Sequence, residues 1–267
     1  MTRSEVTTAK RVVVKVGSSS ISGDNAPALP RIVDALAAAH GRGAEVILVS
    51  SGAIASALPY FGLESRPKDD LVTEQAAAAV GQTILMDRYR DALRPHDIVG
   101  AQILLTASDF DNESTRVNAQ AALTKLLQLR FLPIVNENDT VATHEIRFGD
   151  NDRLAALVTS LLRAPLLVLL SDVEGLYDGD PAEPGSKLIS TVPTIDDSVW
   201  NLVRDRLTGL SKGGMASKLR AARICTSAGE NVIIASGRQP GALAKIARGE
   251  QVGTLFTAQG NSIAARK

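Results

Sequence analysis

Five short stretches of the chain place chemically active side chains where a phosphate or a carboxylate could be met. In Val12-Val13-Val14-Lys15-Val16-Gly17-Ser18 a lysine interrupts an apolar run. A buried ammonium is costly unless an anion meets it, and Gly17 lets backbone amides approach a ligand closely. An edge strand with a snorkelling lysine is the bland alternative. Val49-Ser50-Ser51-Gly52-Ala53-Ile54 follows another apolar run with small hydroxyl residues and glycine, which offer amides and hydroxyls to anions, although an ordinary helix cap uses the same residues. Asn136-Glu137-Asn138-Asp139-Thr140 sets four amide or acid side chains in a row, suited to recognising an amino acid or a sugar. A polar turn would also be rich in Asn and Asp. Phe148-Gly149-Asp150-Asn151-Asp152-Arg153-Leu154 opens a helical pattern with more polar groups than one N-cap needs. Finally, Leu170-Ser171-Asp172 ends a strand pattern, and Gly209-Leu210-Ser211-Lys212-Gly213-Gly214-Met215-Ala216-Ser217-Lys218 is a glycine loop entering a helix. Free amides, a positive helix end and the Lys218 ammonium make a phosphate cradle; a flexible linker with solvated lysines is the alternative.

The elements that must hold these residues follow from periodicity. Arg11–Val16, Glu45–Ser50, Ile98–Leu105, Phe131–Val135, Leu166–Ser171, Asn231–Ala235 and a stretch near Gly253–Phe256 read as strands. Most are apolar throughout rather than alternating, the mark of strands buried on both faces. Helical patterns lie near Pro30–His40 and Gly241–Ala247, and over Gln75–Leu93, Glu113–Leu129, Asp150–Leu162 and Met215–Ala228. This βαβα order predicts a mostly parallel sheet with helices on both sides. In such a sheet ligands bind beyond the carboxyl ends of the strands, where the five stretches fall. The Pro/Gly-rich segment Asp178–Pro193 is expected to be a loop or small hairpin, and Ala258–Lys267 a polar tail.

Composition narrows the function classes. The chain has 267 residues, 29 Lys+Arg against 29 Asp+Glu, and 45% hydrophobic residues, an ordinary globular balance. Zero net charge argues against nucleic acid as the partner, because that needs a basic face. Only nine residues are Phe, Trp or Tyr, too few for single-strand stacking platforms. Cys225 is the single cysteine and the three histidines are scattered, so neither a disulfide nor a Cys/His metal site is expected. The N-terminus lacks the apolar core of a signal peptide, and Leu166–Leu170, the longest strongly apolar run, is far short of a membrane span. A cytoplasmic protein is the expectation. The G-x-x-x-x-G-K-[ST] and G-x-G-x-x-G nucleotide signatures, the H-R-D and D-F-G of protein kinases and the G-x-S-x-G elbow are all missing.

Taken in order, Val14-Lys15-Val16-Gly17-Ser18, Val49-Ser50-Ser51-Gly52-Ala53-Ile54-Ala55, Asn136-Glu137-Asn138-Asp139-Thr140-Val141-Ala142, Gly149-Asp150-Asn151-Asp152, Leu170-Ser171-Asp172-Val173-Glu174-Gly175 and Gly213-Gly214-Met215-Ala216-Ser217-Lys218 resemble the amino acid kinase family over nearly the whole chain. The N-E-N-D-x-V-A and G-D-N-D pair is the specific part, resembling the members that act on L-glutamate. The resemblance implies a three-layer αβα sandwich around a mostly parallel open sheet, with residues 1–258 as the kinase domain and 259–267 as tail. It implies transfer of the γ-phosphoryl group of ATP, with Mg²⁺, to the side-chain carboxylate of L-glutamate, the first step of proline biosynthesis. Lys15 and Lys218 match the lysines on the transferring phosphates, and Asp152 the acid that holds them. Ser51, Asp139 and Asn151 match glutamate-binding positions, with Gly52, Ala53, Asn136 and Asp150 lining the same pocket. Ser171 and Asp172 match a nucleotide-contacting pair, and Lys212, Gly213, Gly214, Met215, Ala216, Ser217 and Lys218 the nucleotide loop. Lys212 stands where relatives often have threonine. The resemblance also implies a homodimer or homotetramer, proline as feedback inhibitor and hand-over of product to a glutamyl phosphate reductase, with no nucleic-acid or membrane partner. Many members continue into a small PUA domain; this sequence ends about where that domain would begin.

Two other readings stay open on the residues alone. One is a sibling kinase acting on acetylglutamate, aspartate, carbamate or UMP, which shares the lysines and glycines but not the N-E-N-D and G-D-N-D pair. The other is a non-catalytic nucleotide-binding module on the same fold, which could do without Lys15, Asp152 and Lys218.

Overall fold

The computed structural model describes residues 2–67, 70–142, 151–204 and 214–259. Within them the strands are β1 (Arg11–Val16), β2 (Glu45–Val49), β3 (Gly100–Leu105), β4 (Leu132–Glu137), β5 (Leu166–Ser171), β6 (Thr191–Val192), β7 (Asn231–Ser236) and β8 (Thr254–Phe256). The helices are α1 (Arg3–Val6), α2 (Ala28–Gly41), α3 (Ala53–Ala57), α4 (Leu71–Leu93), α5 (Ser108–Asp111), α6 (Glu113–Gln128), α7 (Asn151–Leu162), α8 (Asp197–Arg204), α9 (Met215–Ala228) and α10 (Ala242–Ala247).

The strands form one sheet in the order β3-β4-β2-β1-β5-β7-β8-β6. From β3 to β7 every pairing is parallel, whereas β8 runs antiparallel to β7 and parallel to β6. Residues of opposite parity go to opposite faces. Val13, Ile47, Val135, Leu167, Leu169 and Ile234 pack with side chains of α6, α7, α8 and α9. Val14, Leu48, Ile134, Val168 and Ile233 pack with those of α2, α4 and α10. The result is the three-layer αβα sandwich expected. Burying both faces explains why β1, β2, β5 and β7 carry almost unbroken Val/Ile/Leu runs. The chain moves outward from β1 to β2 on one side and returns to β5 on the other, so the carboxyl ends of β1, β2, β4 and β5 surround the topological switch point.

Several boundaries differ from expectation for identifiable reasons. β4 continues two residues past Val135, because Asn136 and Glu137 keep pairing with Leu104 and Leu105 of β3; two polar residues are thereby carried into the buried sheet. α4 begins at Leu71, four residues before the apolar stripe sets in, because the Asp70 carboxylate accepts a hydrogen bond from the Thr73 amide at 3.0 Å. Helix α8 was not anticipated; Asp196 caps it, accepting from the amides of Ser198 at 3.0 Å and Val199 at 3.2 Å. The Pro/Gly-rich excursion closes through an antiparallel bridge between Tyr177 and Leu188. At the start of the expected tail, Ala258 donates to Asn231 Oδ1 at 2.9 Å and Gln259 to the Thr226 carbonyl at 3.0 Å, so both are tied to the sheet and α9.

Small residues set the separation of α3 from α4. Ile54 and Ala57 of α3 pack against Ala77 and Ala78 of α4, and Gly81 brings the α4 backbone against the carbonyl of Ala53. Alanine and glycine are what permit that approach, and it fixes the turn that leaves β2.

Candidate active site

Lys15 lies inside β1, flanked by Val49 of β2 and Leu169 of β5. Asp152 is in the first turn of α7 and Lys218 in the first turn of α9. The three meet at the switch point: Lys15 Nζ stands 2.6 Å from Asp152 Oδ1, and Lys218 Nζ 3.1 Å from Asp152 Oδ2. Asp152 is fully buried and the lysines are 5% and 3% exposed. Two ammoniums converge on one carboxylate in a poorly solvated place. The positive end of α9 adds to the local positive potential, since Lys218 is in its first turn. Buried ammoniums are expensive unless anions meet them. Lys15, the lysine inside an apolar strand, thus meets a carboxylate here, and the position of the cluster at the carboxyl ends of the strands suits a bound anion.

Next to this cluster the chain turns from β1 into a 3-10 turn. Gly17 is buried and its amide is taken by the Leu170 carbonyl at 3.2 Å. The amides heading the following 3-10 turn, Ser18–Ser20, have no partner within that turn. A Cβ on Gly17 would stand 3.8 Å from the Lys15 ammonium nitrogen, in the space a bound anion needs. Glycine here thus leaves room rather than serving an unusual φ. At the end of β5 the Ser171 hydroxyl donates to Asp172 Oδ1 at 2.8 Å. Partial burial pushes the Asp172 carboxyl up, but the Ser171 hydroxyl, its own backbone amide and the charges of Lys218 and Arg238 outweigh that and hold it below its ordinary range. Asp172 is therefore ionised and within the field of Lys218. Arg238, just past β7, is a cation that sequence reading missed; the signal was its position after a strand on the same edge. Gly214 is the N-cap of α9. Met215 and Ala216 pack onto the core, so any contact they make with a ligand is through their backbone.

A second cluster lies on the β2–β4 side. The Asn151 Nδ2 group donates to the Ser50 carbonyl at 2.5 Å and to Asn136 Oδ1 at 2.7 Å. Asn136 Nδ2 donates to Gln82 Oε1 at 2.8 Å, and Gln82 Nε2 to Gln102 Oε1 at 3.1 Å. Both amide hydrogens of Asn151 are committed to the protein, which leaves its Oδ1 as the acceptor for a ligand. Ser50 is fully buried, with its hydroxyl 2.8 Å from the Tyr89 hydroxyl. Burial pushes the Tyr89 phenol up to about 12, against the opposing effects of Ser50 and Arg88, so it stays a neutral hydroxyl. Ser51 and Gly52 follow, half-buried, with Gly52 at φ +98° in the left-handed region that favours glycine. Ala53 turns its side chain into the core. Asp139 is half-buried in the turn that starts at Asn138, where the Val141 and Ala142 amides return to the Asn138 carbonyl.

The sequence-predicted residues thus fall into two groups: Lys15, Asp152 and Lys218 with Ser171 and Asp172, and Ser51, Asn136, Asp139 and Asn151. They are joined through the adjacent Asn151 and Asp152 at the head of α7. Asp150, Lys212 and Gly213 lie outside the described residues. A half-open, largely apolar cavity of about 520 Å³ lies elsewhere, under residues 6–10 and against α2 and α10. It is lined by the amino ends of β1, β2 and β5, the opposite end of the sheet from the charged cluster. Among the described residues no helix is long and apolar enough to cross a membrane.

The family model described as "Amino acid kinase family" matches residues 10–236. The chain is 53% identical over 254 residues to the glutamate 5-kinase of Clavibacter sepedonicus, covering 95% of this chain and 96% of that protein. It is 54% identical over 259 residues to the glutamate 5-kinase of Clavibacter michiganensis subsp. michiganensis, covering 97% and 98%. Its structure is similar to that of the isopentenyl phosphate kinase of T. acidophilum, with a TM-score of 0.63 and 17% identity over 92% of this chain and 99% of that one, a likeness of fold. With a family model spanning most of the sheet and relatives matched at more than half identity over almost their full lengths, the chain belongs to the amino acid kinase family.

Proposed function

We propose that the chain is an ATP-dependent kinase that phosphorylates the γ-carboxylate of L-glutamate, giving γ-glutamyl phosphate and ADP, the first step of proline biosynthesis. The observation that carries this reading is the buried two-lysine, one-carboxylate cluster, lying beside an amide-rich pocket in a chain about half identical to glutamate 5-kinases over their length.

In this reading a carboxylate oxygen of glutamate attacks the γ-phosphorus of ATP, the bond to the ADP oxygen breaks, and no proton is transferred. The nucleophile is already ionised at neutral pH, so no general base is required. The barrier is electrostatic, since an anion must approach a polyanion. Lys15 and Lys218 supply positive charge where it accumulates, and Asp152 holds both ammoniums in place so that little reorganisation is needed during transfer. Amides at the start of Ser18–Ser20 and of α9 bind the phosphates. Asn151 Oδ1 and Asp139 accept from the substrate α-ammonium, and the Ser51 hydroxyl and Gly52 backbone close the pocket. Mg²⁺, when bound, would neutralise phosphate charge, and the ionised Asp172 is a described carboxylate that would suit it.

The same reading makes residues 1–258 the kinase domain. It extends to a cytoplasmic homo-oligomer, proline as feedback inhibitor and delivery of the unstable acyl phosphate to a glutamyl phosphate reductase. The test is an assay with ATP, Mg²⁺ and L-glutamate in hydroxylamine, which traps an acyl phosphate as the hydroxamate. Aspartate and N-acetylglutamate are run beside it, with UMP followed by ADP release. Hydroxamate from glutamate alone is expected; turnover only with a sibling substrate would overturn the assignment of the acceptor.

A further inference from the structure

One face of α4 carries a polar group every seventh residue, and each one holds a different wall of the acceptor pocket. Gln75 Nε2 donates to the Ala142 carbonyl at 3.2 Å, at the end of the turn that bears Asp139. Gln82 Oε1 accepts from Asn136 Nδ2 at 2.8 Å. The Tyr89 hydroxyl is 2.8 Å from the Ser50 hydroxyl. A spacing of seven returns to the same side of a helix after two turns, so the three groups form one stripe aimed at the carboxyl ends of β2 and β4. Nothing in propensity asks for glutamine at a buried position in an Ala-rich helix, and Gln82 is only 9% exposed.

The central rung has the most specific geometry. Asn136 is 2% exposed. Its Oδ1 accepts from the Glu137 amide at 2.9 Å and from Asn151 Nδ2 at 2.7 Å, while its Nδ2 is held by Gln82. Turning the Asn136 amide over would set its NH₂ against two donors, so its orientation dictates that of Asn151. Gln82 is in turn oriented by Gln102, to which its Nε2 donates at 3.1 Å. The chain of bonds runs from the edge strand through α4 and β4 to the head of α7, and ends on Asn151, whose nitrogen is spent and whose Oδ1 is left for a ligand.

We infer that Gln82 is a positioning residue for the acceptor amino acid, acting through Asn136 to fix the Asn151 carboxamide, and that it has no part in holding the nucleotide. This rests on the proposed reading of the pocket. The expected signature is selective. Gln82→Met keeps the volume and removes both hydrogen bonds; KM for L-glutamate should rise about tenfold, the cost of misdirecting one hydrogen bond to a charged group, while KM for ATP stays within about twofold. Gln82→Glu keeps an acceptor opposite Asn136 Nδ2 and should restore part of the loss. A glutamate KM for Gln82→Met within about twofold of wild type, or equal rises in both KM values, overturns the inference. Should Gln82→Met not fold, Gln102→Met, at an exposed edge position, carries the test: a selective rise in glutamate KM of about threefold or more supports the inference, and a smaller or unselective change overturns it. Wild-type protein in the same hydroxamate assay separates the two questions: silence there defeats the functional reading, whereas an active wild type with unselective variants defeats only the role of Gln82.

Discussion

Gly81 lies so close to Ala53 that a Cβ built on it would stand 1.7 Å from the Ala53 carbonyl oxygen and 2.5 Å from its carbonyl carbon. The neighbour is backbone, which cannot rotate away. Gly81→Ala must therefore push α3 and the Ser50–Ala53 turn off α4. Overpacking of this kind costs about 2 kcal/mol, or a fall of roughly 5 °C in Tm for a domain of this size. Thermal unfolding measures it, and a Tm equal to wild type would show that α3 yields freely. The same displacement should raise KM for glutamate more than for ATP.

Lys218 meets Asp152 across a gap of 66 residues in sequence at 3.1 Å. On the proposed reading Lys218 neutralises charge developing in the transition state, so Lys218→Ala should lower kcat by about a hundredfold or more. Lys15 still pairs with Asp152 in that variant, so folding should survive. Steady-state kinetics with a circular-dichroism check distinguishes the two effects, and unchanged kcat would remove Lys218 from the chemistry.

Asp139 is half-buried in the turn after β4, on the far side of the cluster from Ser171 and Asp172 in sheet order. On the proposed reading, Asp139→Ala removes a charged acceptor for the α-ammonium and should raise KM for glutamate by about tenfold or more, with a smaller effect on ATP. Equal effects on both substrates would place Asp139 outside the acceptor pocket.

Glu230 reports on stability rather than activity. It is buried, and burial pushes its carboxyl above the ordinary value of 4.5, although hydrogen bonds from Ser160 and Cys225 pull the other way. A carboxyl whose folded pKa is raised holds its proton more tightly in the folded state. Stability is therefore lost as pH rises from 4.5 through the folded value. Glu230→Gln keeps an oxygen for the Ser160 hydroxyl, which is 2.8 Å away, and removes the ionisation. The variant should be more stable than wild type at about pH 7.5 and indistinguishable from it near about pH 4. Urea midpoints at both values check this, and equal midpoints at the higher pH would contradict it.

Much of the molecule was legible along the chain because its signals are local. Unbroken runs such as Val12–Val14 and Leu166–Leu170 are compatible only with strands covered on both faces, and they alternate with helical periods, which is enough for a parallel sheet with helices on both sides. A lysine within such a run demands an anion, and dense polar stretches after successive strands mark the end of the sheet where ligands bind. These signals need only nearest neighbours and the water-to-protein transfer of each residue type. The resemblance then attached roles to Lys15, Asp152 and Lys218 that spacing alone could not.

The tertiary structure decided what depends on partners far apart in sequence. Asn136 and Glu137 look like turn residues, yet they are strand, because β3 happens to extend alongside them. Asn151 matches a glutamate-binding position, and the fold decides which of its atoms is left for that: its nitrogen is spent on Ser50 and Asn136, leaving the oxygen. Gln82, Gln102 and Tyr89 gave no signal, since a glutamine in a helix is ordinarily solvated and a tyrosine ordinarily core. The role argued for them exists only because packing α4 on the sheet turns the stripe of Gln75, Gln82 and Tyr89 towards the carboxyl ends of β2 and β4 and sets Gln82 against Gln102, where desolvation makes the buried hydrogen bonds obligatory.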